Sequence, residues 1–336
     1  MKQTKILFIC KERSSYYGIS TGLLQSSKFI VDYLVSQGID SKVVVCKDAN
    51  AIDREVYNYR PTKVVIHAIW VTPAKIQELA TKYSSVTWAI MVHSKLPFLS
   101  YEGNALKWLN EYTQLPVKNV CVGCNNAEGV VQLTIALREK LLYLPNIYSE
   151  TLKVCRGKND KRFFDIGCFG AIRPLKNMLI QADAAIGYAQ QEHKRLRFHV
   201  NAERVEQSGE QCLKNIRALF EKYPEYTLVE HGWLTHEEFL RLIGTMDIGM
   251  QVSLSETFNI TAADFVYMNV PIVVSPEIEW MPKCGQVDPT NVIDIIEKIG
   301  EVLVFQTDGL LFSDYAERAL KRYNKKAQKI WMNFVD

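Results

Sequence analysis

Ten short apolar runs, each followed by a stretch with helical spacing, constrain this chain more tightly than any other feature. They lie near residues 5–10, 42–46, 63–67, 86–92 and 119–122, then 164–169, 196–200, 227–230, 247–251 and 271–274. Nearly continuous apolar runs of this length suit strands buried on both faces, and strands that alternate with helices are joined by crossovers and so run parallel. Ten of them divide best into two doubly wound α/β domains with parallel sheets. Lys153, Arg156, Lys158, Lys161 and Arg162 interrupt the apolar pattern and place the boundary within 149–162. The expected division is a first domain over 1–150, a second over 151–312, and a closing helical segment over 313–336.

With 336 residues, 48% hydrophobic and 23% charged, the chain can fill two cores. It has no run of about 18 apolar residues to span a bilayer, and its N-terminus lacks a secretory apolar segment with a cleavage site. Stable membrane insertion is therefore not expected. Eight cysteines without an export signal point to reduced thiols and a cytoplasmic location. Cys121 and Cys124 form a C-x-x-C, yet no second pair of ligands stands at zinc spacing, so a buried strand end is expected there. The absence of H-E-x-x-H, a Walker loop, a nucleophile elbow and a paired-carboxylate box leaves metal-dependent hydrolysis, phosphoryl transfer and acyl transfer without support. No metal site is expected.

Two segments carry polar residues where a parallel sheet exposes its functional edge. In the first, the run 163–170 ends in Gly170 and is followed by Arg173, Pro174, Lys176 and a helical stretch from Met178 to about Gln191. In the second, Ser255, Glu256, Thr257, Phe258 and Asn259 form a turn that opens a helix carrying Asp264 eight residues after Glu256. Eight helical residues are about 2.2 turns, so Asp264 returns to within about 80° of the helix start. The same residues also suit an N-capped helix whose Glu256 complements the helix dipole and whose Asp264 is solvated, and a basic turn facing water.

Together these segments resemble retaining glycosyltransferases of the GT-B fold, family 4 in particular, with their E-x7-E signature and Arg/Lys loop. Asp264 replaces the second glutamate, Asn259 the usual glycine, and Arg173 stands three residues after Gly170. The resemblance runs over about residues 5–280 and includes a glycine-containing first loop with Gly18, His93 at the end of the 86–92 strand, and Leu144-Pro145-Asn146. It implies two Rossmann-like domains facing across a cleft, the first on the acceptor side and the second holding a nucleotide sugar, with the closing helix crossing back to the first. The donor would meet Gly18, Gly170, Arg173, Lys176, Glu256, Thr257, Phe258, Asn259 and Asp264. His93, Glu256, Arg173 and Lys176 would be the catalytic group. The cations would neutralise the departing diphosphate and Asp264 would hold the ribose. No cofactor beyond the nucleotide-sugar co-substrate is implied.

A finer resemblance bears on the acceptor. Residues 64–73, then 93–99 with Glu102 and Gly103, are similar to a group of bacteriophage-encoded glycosyltransferases that decorate hydroxymethylated pyrimidines in DNA, an arabinosyltransferase acting on hydroxymethylcytosine among them. That likeness implies a UDP-arabinose or UDP-glucose donor, double-stranded DNA containing hydroxymethylcytosine as partner, and the host cytoplasm as the place of action. Trp70, Ser94, Lys95, Phe98, Tyr101 and Glu102 would touch the acceptor, the aromatics by stacking on a base. Residues 1–150 hold 17 Lys and Arg against 12 Asp and Glu, a net of +5 that suits an anionic acceptor. A surface polysaccharide or lipid-linked glycan as acceptor, and a non-catalytic nucleotide-sugar binder, remain the alternatives.

Overall fold

The computed structural model describes residues 4–12, 21–149, 157, 160, 162–206, 208–307 and 311–336. They fall into two compact units, Met1–Ser149 with Asn324–Asp336, and Glu150–Tyr323.

The first unit is built from β1 (Lys5–Lys11), α1 (Thr21–Ser36), β2 (Asp40–Cys46), α2 (Ala49–Tyr59), β3 (Lys63–His67), α3 (Pro73–Lys82), β4 (Thr87–Val92), α4 (Leu96–Leu99), α5 (Ala105–Thr113), β5 (Val120–Cys124), α6 (Ala127–Leu137) and β6 (Leu142–Tyr143). Its sheet runs β2-β1-β3-β4-β5-β6, parallel throughout. Ile6 to Ile9, Val64 to Ile66 and Trp88 to Val92 are buried on both faces of the sheet, which is why these strands read as unbroken apolar runs. Each Leu or Ile so enclosed contributes about 1.5–3 kcal/mol. The strand β6 was not anticipated. It is two residues long, and no alternation can show in so short a segment.

The second unit contains β7 (Phe164–Gly167), α7 (Met178–Gln191), β8 (Leu196–Asn201), α8 (Gly209–Glu221), β9 (Thr227–His231), α9 (His236–Ile243), β10 (Ile248–Gln251), α10 (Ile260–Tyr267), β11 (Ile272–Val274) and α11 (Val292–Thr307). Its parallel sheet runs β11-β10-β7-β8-β9. Chain direction across the sheet reverses between β7 and β10: β8 and β9 were added on one side, β10 and β11 on the other. At such a switch point the loops leaving the two central strands diverge, and the crevice beyond their carboxyl ends is where open α/β sheets bind ligands.

A last helix, α12 (Phe312–Val335), begins in the second unit and ends in the first. Within the first unit Asn324 donates to the Tyr148 carbonyl at 2.9 Å and accepts from its N–H at 3.0 Å, while the Trp331 indole donates to the Pro145 carbonyl at 2.7 Å. Among the described residues no helix is long and apolar enough to cross a membrane.

Candidate active site at the β7–β10 switch point

The loop after β7 and the loop after β10 are joined by buried hydrogen bonds. The Leu254 N–H donates to the Leu175 carbonyl at 2.9 Å, and the Val252 N–H to Gln181 Oε1 at 2.9 Å. Gln181 Nε2 in turn donates to the Lys176 carbonyl at 2.7 Å, and Asn177 Nδ2 to the carbonyls of Val252 and Pro289 at 3.1 and 2.7 Å. With their backbone groups so paired, the two loops hold their side chains in one arrangement.

That arrangement brings Lys176 onto Glu256. The Lys176 ammonium donates to Glu256 Oε1, and both residues are buried. Gly170 belongs to the same spot: its backbone lies at φ 120°, a region that favours glycine, and a Cβ there would sit 3.8 Å from Lys176 Nζ. Gly170, Lys176 and Glu256 thus converge at the switch point. Arg173 precedes the short 3-10 turn Pro174–Lys176 and its guanidinium lies 3.5 Å from Glu206. The Arg173 and Lys176 side chains, three residues apart, engage different carboxylates.

Asn259, which stands where a glycine was expected, meets the same backbone need by another route. Its φ of 54° is left-handed, a conformation asparagine tolerates better than most residues. Its Oδ1 accepts the Ala262 N–H at 2.9 Å as the cap of α10, and its Nδ2 donates to Gln251 Oε1 at 2.8 Å. The turn is thereby tied to β10.

Other expected donor residues sit differently. Asp264 is buried, with His236 Nε2 at 2.8 Å from its Oδ1, so the solvated carboxylate considered from the sequence is not what the fold provides. The Phe258 side chain is a packing element, enclosed between Trp280 and Tyr323 at 5.7 and 5.1 Å, with its carbonyl accepting from the Trp280 indole at 2.7 Å. Thr257 is partly buried in the turn between them. Gly18 lies outside the described residues.

The first unit places a second polar group at the carboxyl ends of β3 and β4. His93 Nε2 and His67 Nδ1 are 2.9 Å apart, with the rings stacked at 4.9 Å and 22°. Enclosure pushes His93 down to about 3 and, with the neighbouring His93, holds His67 well below its ordinary value, so both rings are neutral at pH 7. Trp70 joins them through its indole N–H, which donates to the His67 carbonyl at 3.0 Å. Of the expected acceptor residues, Ser94, Phe98 and Glu102 are partly buried in the segment after β4, and Tyr101 is 53% exposed. Lys95 departs from expectation: it is 1% exposed, and its ammonium reaches Glu128 Oε2 at 2.5 Å, so its charge is already matched.

The sequence reading missed four partners. Glu206, His236 and His67 are set against Arg173, Asp264 and His93 from separate elements, and Glu277 Oε2 accepts the Glu256 N–H at 3.4 Å. Of these, only His67, at the end of the 63–67 apolar run, has any local signal in the sequence.

No family model matches the chain, and no curated protein does. Solved structures do. A glycosyltransferase from Rickettsia africae matches at TM-score 0.66 and 12% identity over 100% of this chain and 98% of that one. Sucrose-phosphate synthase from Thermosynechococcus elongatus matches at 0.68 and 12% over 99% and 98%. An E. coli trehalose-6-phosphate structure bound with UDP-2-fluoro glucose matches at 0.67 and 10% over 98% and 99%. With its two parallel-sheet α/β units and neighbours of this kind, the chain has the GT-B glycosyltransferase fold.

Proposed function

We propose that the chain is a retaining, metal-independent glycosyltransferase that moves a sugar from a UDP-linked donor to a hydroxyl, with hydroxymethylcytosine in DNA as the acceptor. The observation that carries the reading is the convergence of Gly170, Lys176 and Glu256 at the switch point of the second unit. A glycine leaves room for a diphosphate against the backbone, Lys176 meets its charge, and Glu256 accepts from sugar hydroxyls. As the bond between sugar and diphosphate breaks, negative charge grows on the leaving group, and Lys176 with Arg173 stabilises it without a divalent ion. Lys176 exchanges Glu256 for the phosphate when the donor enters. His93, neutral and backed by His67, serves as a hydrogen-bonding partner of the transferred sugar.

The acceptor assignment rests on the likeness of residues 64–103 to phage DNA-modifying enzymes and on the basic first unit. Oligonucleotides identical except for cytosine or hydroxymethylcytosine, incubated with a panel of nucleotide sugars including UDP-arabinose and UDP-glucose, should gain sugar mass only where the hydroxymethyl group is present. Transfer to neither, with robust transfer to a lipid-linked or polysaccharide acceptor, would remove DNA from the assignment and leave the donor site standing.

A further inference from the structure

One helix carries a dense row of positive charge. Six of the chain's 40 Lys and Arg and two of its 37 Asp and Glu fall in the 24 residues of α12, which therefore carry +4. The remaining residues hold 34 basic and 35 acidic side chains, a net of −1. Arg318, Lys321, Arg322, Lys325, Lys326 and Lys329 are all exposed. At 100° per residue they occupy an arc of about 140°, in a row about 17 Å long. The opposite face, with Ala319, Leu320, Ala327 and Trp331, is buried against the protein.

Ordinary helix electrostatics do not account for this row. Cations complement the helix dipole in the last turn, and the last turn of α12 has none. Lys321 alone has a carboxylate partner, Glu317 Oε1 at 2.6 Å; among the described residues the other five make no ion pair. Like charges recur at four-residue spacing between 318 and 322, 321 and 325, 322 and 326, and 325 and 329, where they repel. An external polyanion would relieve that repulsion. A bilayer surface would call for apolar side chains on the same face, and the only large hydrophobic side chain on this arc with substantial exposure is Tyr315, at 39%. A straight, rigid row of cations instead matches a rigid rod with one negative charge per about 1.7 Å of its axis. We propose that this face of α12 docks on the phosphate backbone of a nucleic-acid duplex. The docking requires neither a modified base nor a donor, and it stands apart from the reading of the active site.

Binding of the full-length protein to an unmodified 30-base-pair duplex, across a salt series and without nucleotide sugar, tests it. The variant R322Q/K325Q/K326Q/K329Q should lose at least tenfold in affinity, and its slope of log K against log salt should flatten by about 3 to 4. A control with the same charge change at scattered exposed lysines, K118Q/K140Q/K214Q/K222Q, should bind as wild type does. Thermal melting reports that both variants are folded, and transfer to a free hydroxymethylated nucleoside, which has no duplex backbone, reports the donor site separately. Wild-type affinity in the α12 variant, equal loss in the control, no duplex binding by the wild type, or wild-type binding to anionic vesicles in place of duplex would each overturn the proposal.

Discussion

At position 259 a backbone requirement and a sequence departure meet. The left-handed φ admits glycine or asparagine, and the asparagine adds a cap on α10 and a tie to Gln251. Asn259→Gly should therefore melt close to wild type, whereas Asn259→Ala, which loses the cap and keeps a Cβ in the left-handed region, should cost about 2 kcal/mol, read from denaturant unfolding. The Lys176–Glu256 pair behaves differently because both charges are buried. Removing one partner strands the other, so Lys176→Met or Glu256→Gln alone should destabilise by about 3–5 kcal/mol, and the double variant by less than the sum. Additive losses in that cycle would mean the two charges do not depend on each other. Turnover of Arg173→Ala, whose guanidinium is only partly buried, should fall at least about tenfold with stability little changed. That Gly170, Lys176 and Glu256 stand in the loops at strand ends was legible in the sequence, because each follows an apolar run that ends in a turn. Glu206, His236 and Glu277 were not, since a carboxylate or imidazole brought in by a distant element leaves no local pattern.

Adjacent parallel strands place histidine pairs side by side in both units. His67 and His93 meet at the ends of β3 and β4, and His199 Nδ1 and His231 Nε2, also 2.9 Å apart, on β8 and β9. Burial, then the neighbouring His199, pushes His231 down to about 4, as enclosure pushes His93 to about 3. An unfolded histidine takes up its proton near pH 6.5, so between there and the folded values the unfolded chain binds more protons. The stability these rings contribute is complete above about pH 6.5 and declines as pH falls, by about 1.4 kcal/mol per pH unit for each. Denaturant midpoints measured from pH 7 to 5 should show the decline, and His231→Gln should flatten it by about one proton; an unchanged slope would contradict the pairing. Strands and helices of this size were readable from apolar runs because a parallel sheet buries both faces of its strands. The two-residue β6 was beyond that signal.

Charge divides the molecule along the same line as its fold. Met1–Ser149 with Asn324–Asp336 hold 20 basic and 12 acidic residues, a net of +8; Glu150–Tyr323 hold 20 and 25, a net of −5. The acidic unit is the one proposed to hold the donor, and Arg173 and Lys176 of its switch-point loops stand against the general sign around them. With Arg173 and Lys176 supplying that charge, turnover should persist in excess EDTA, and loss that Mn²⁺ or Mg²⁺ restores would show that a divalent ion shares the work. The connectivity of α12 has a consequence for how the protein is made. Trp331, fully buried and 5.5 Å from Phe8, and Asn324, bonded twice to Tyr148, are parts of the first unit that the ribosome delivers only after the whole of the second. The second unit is thus inserted in the sequence of the first, and the residues that complete the first unit's core leave the ribosome only after the second unit has been synthesised in full.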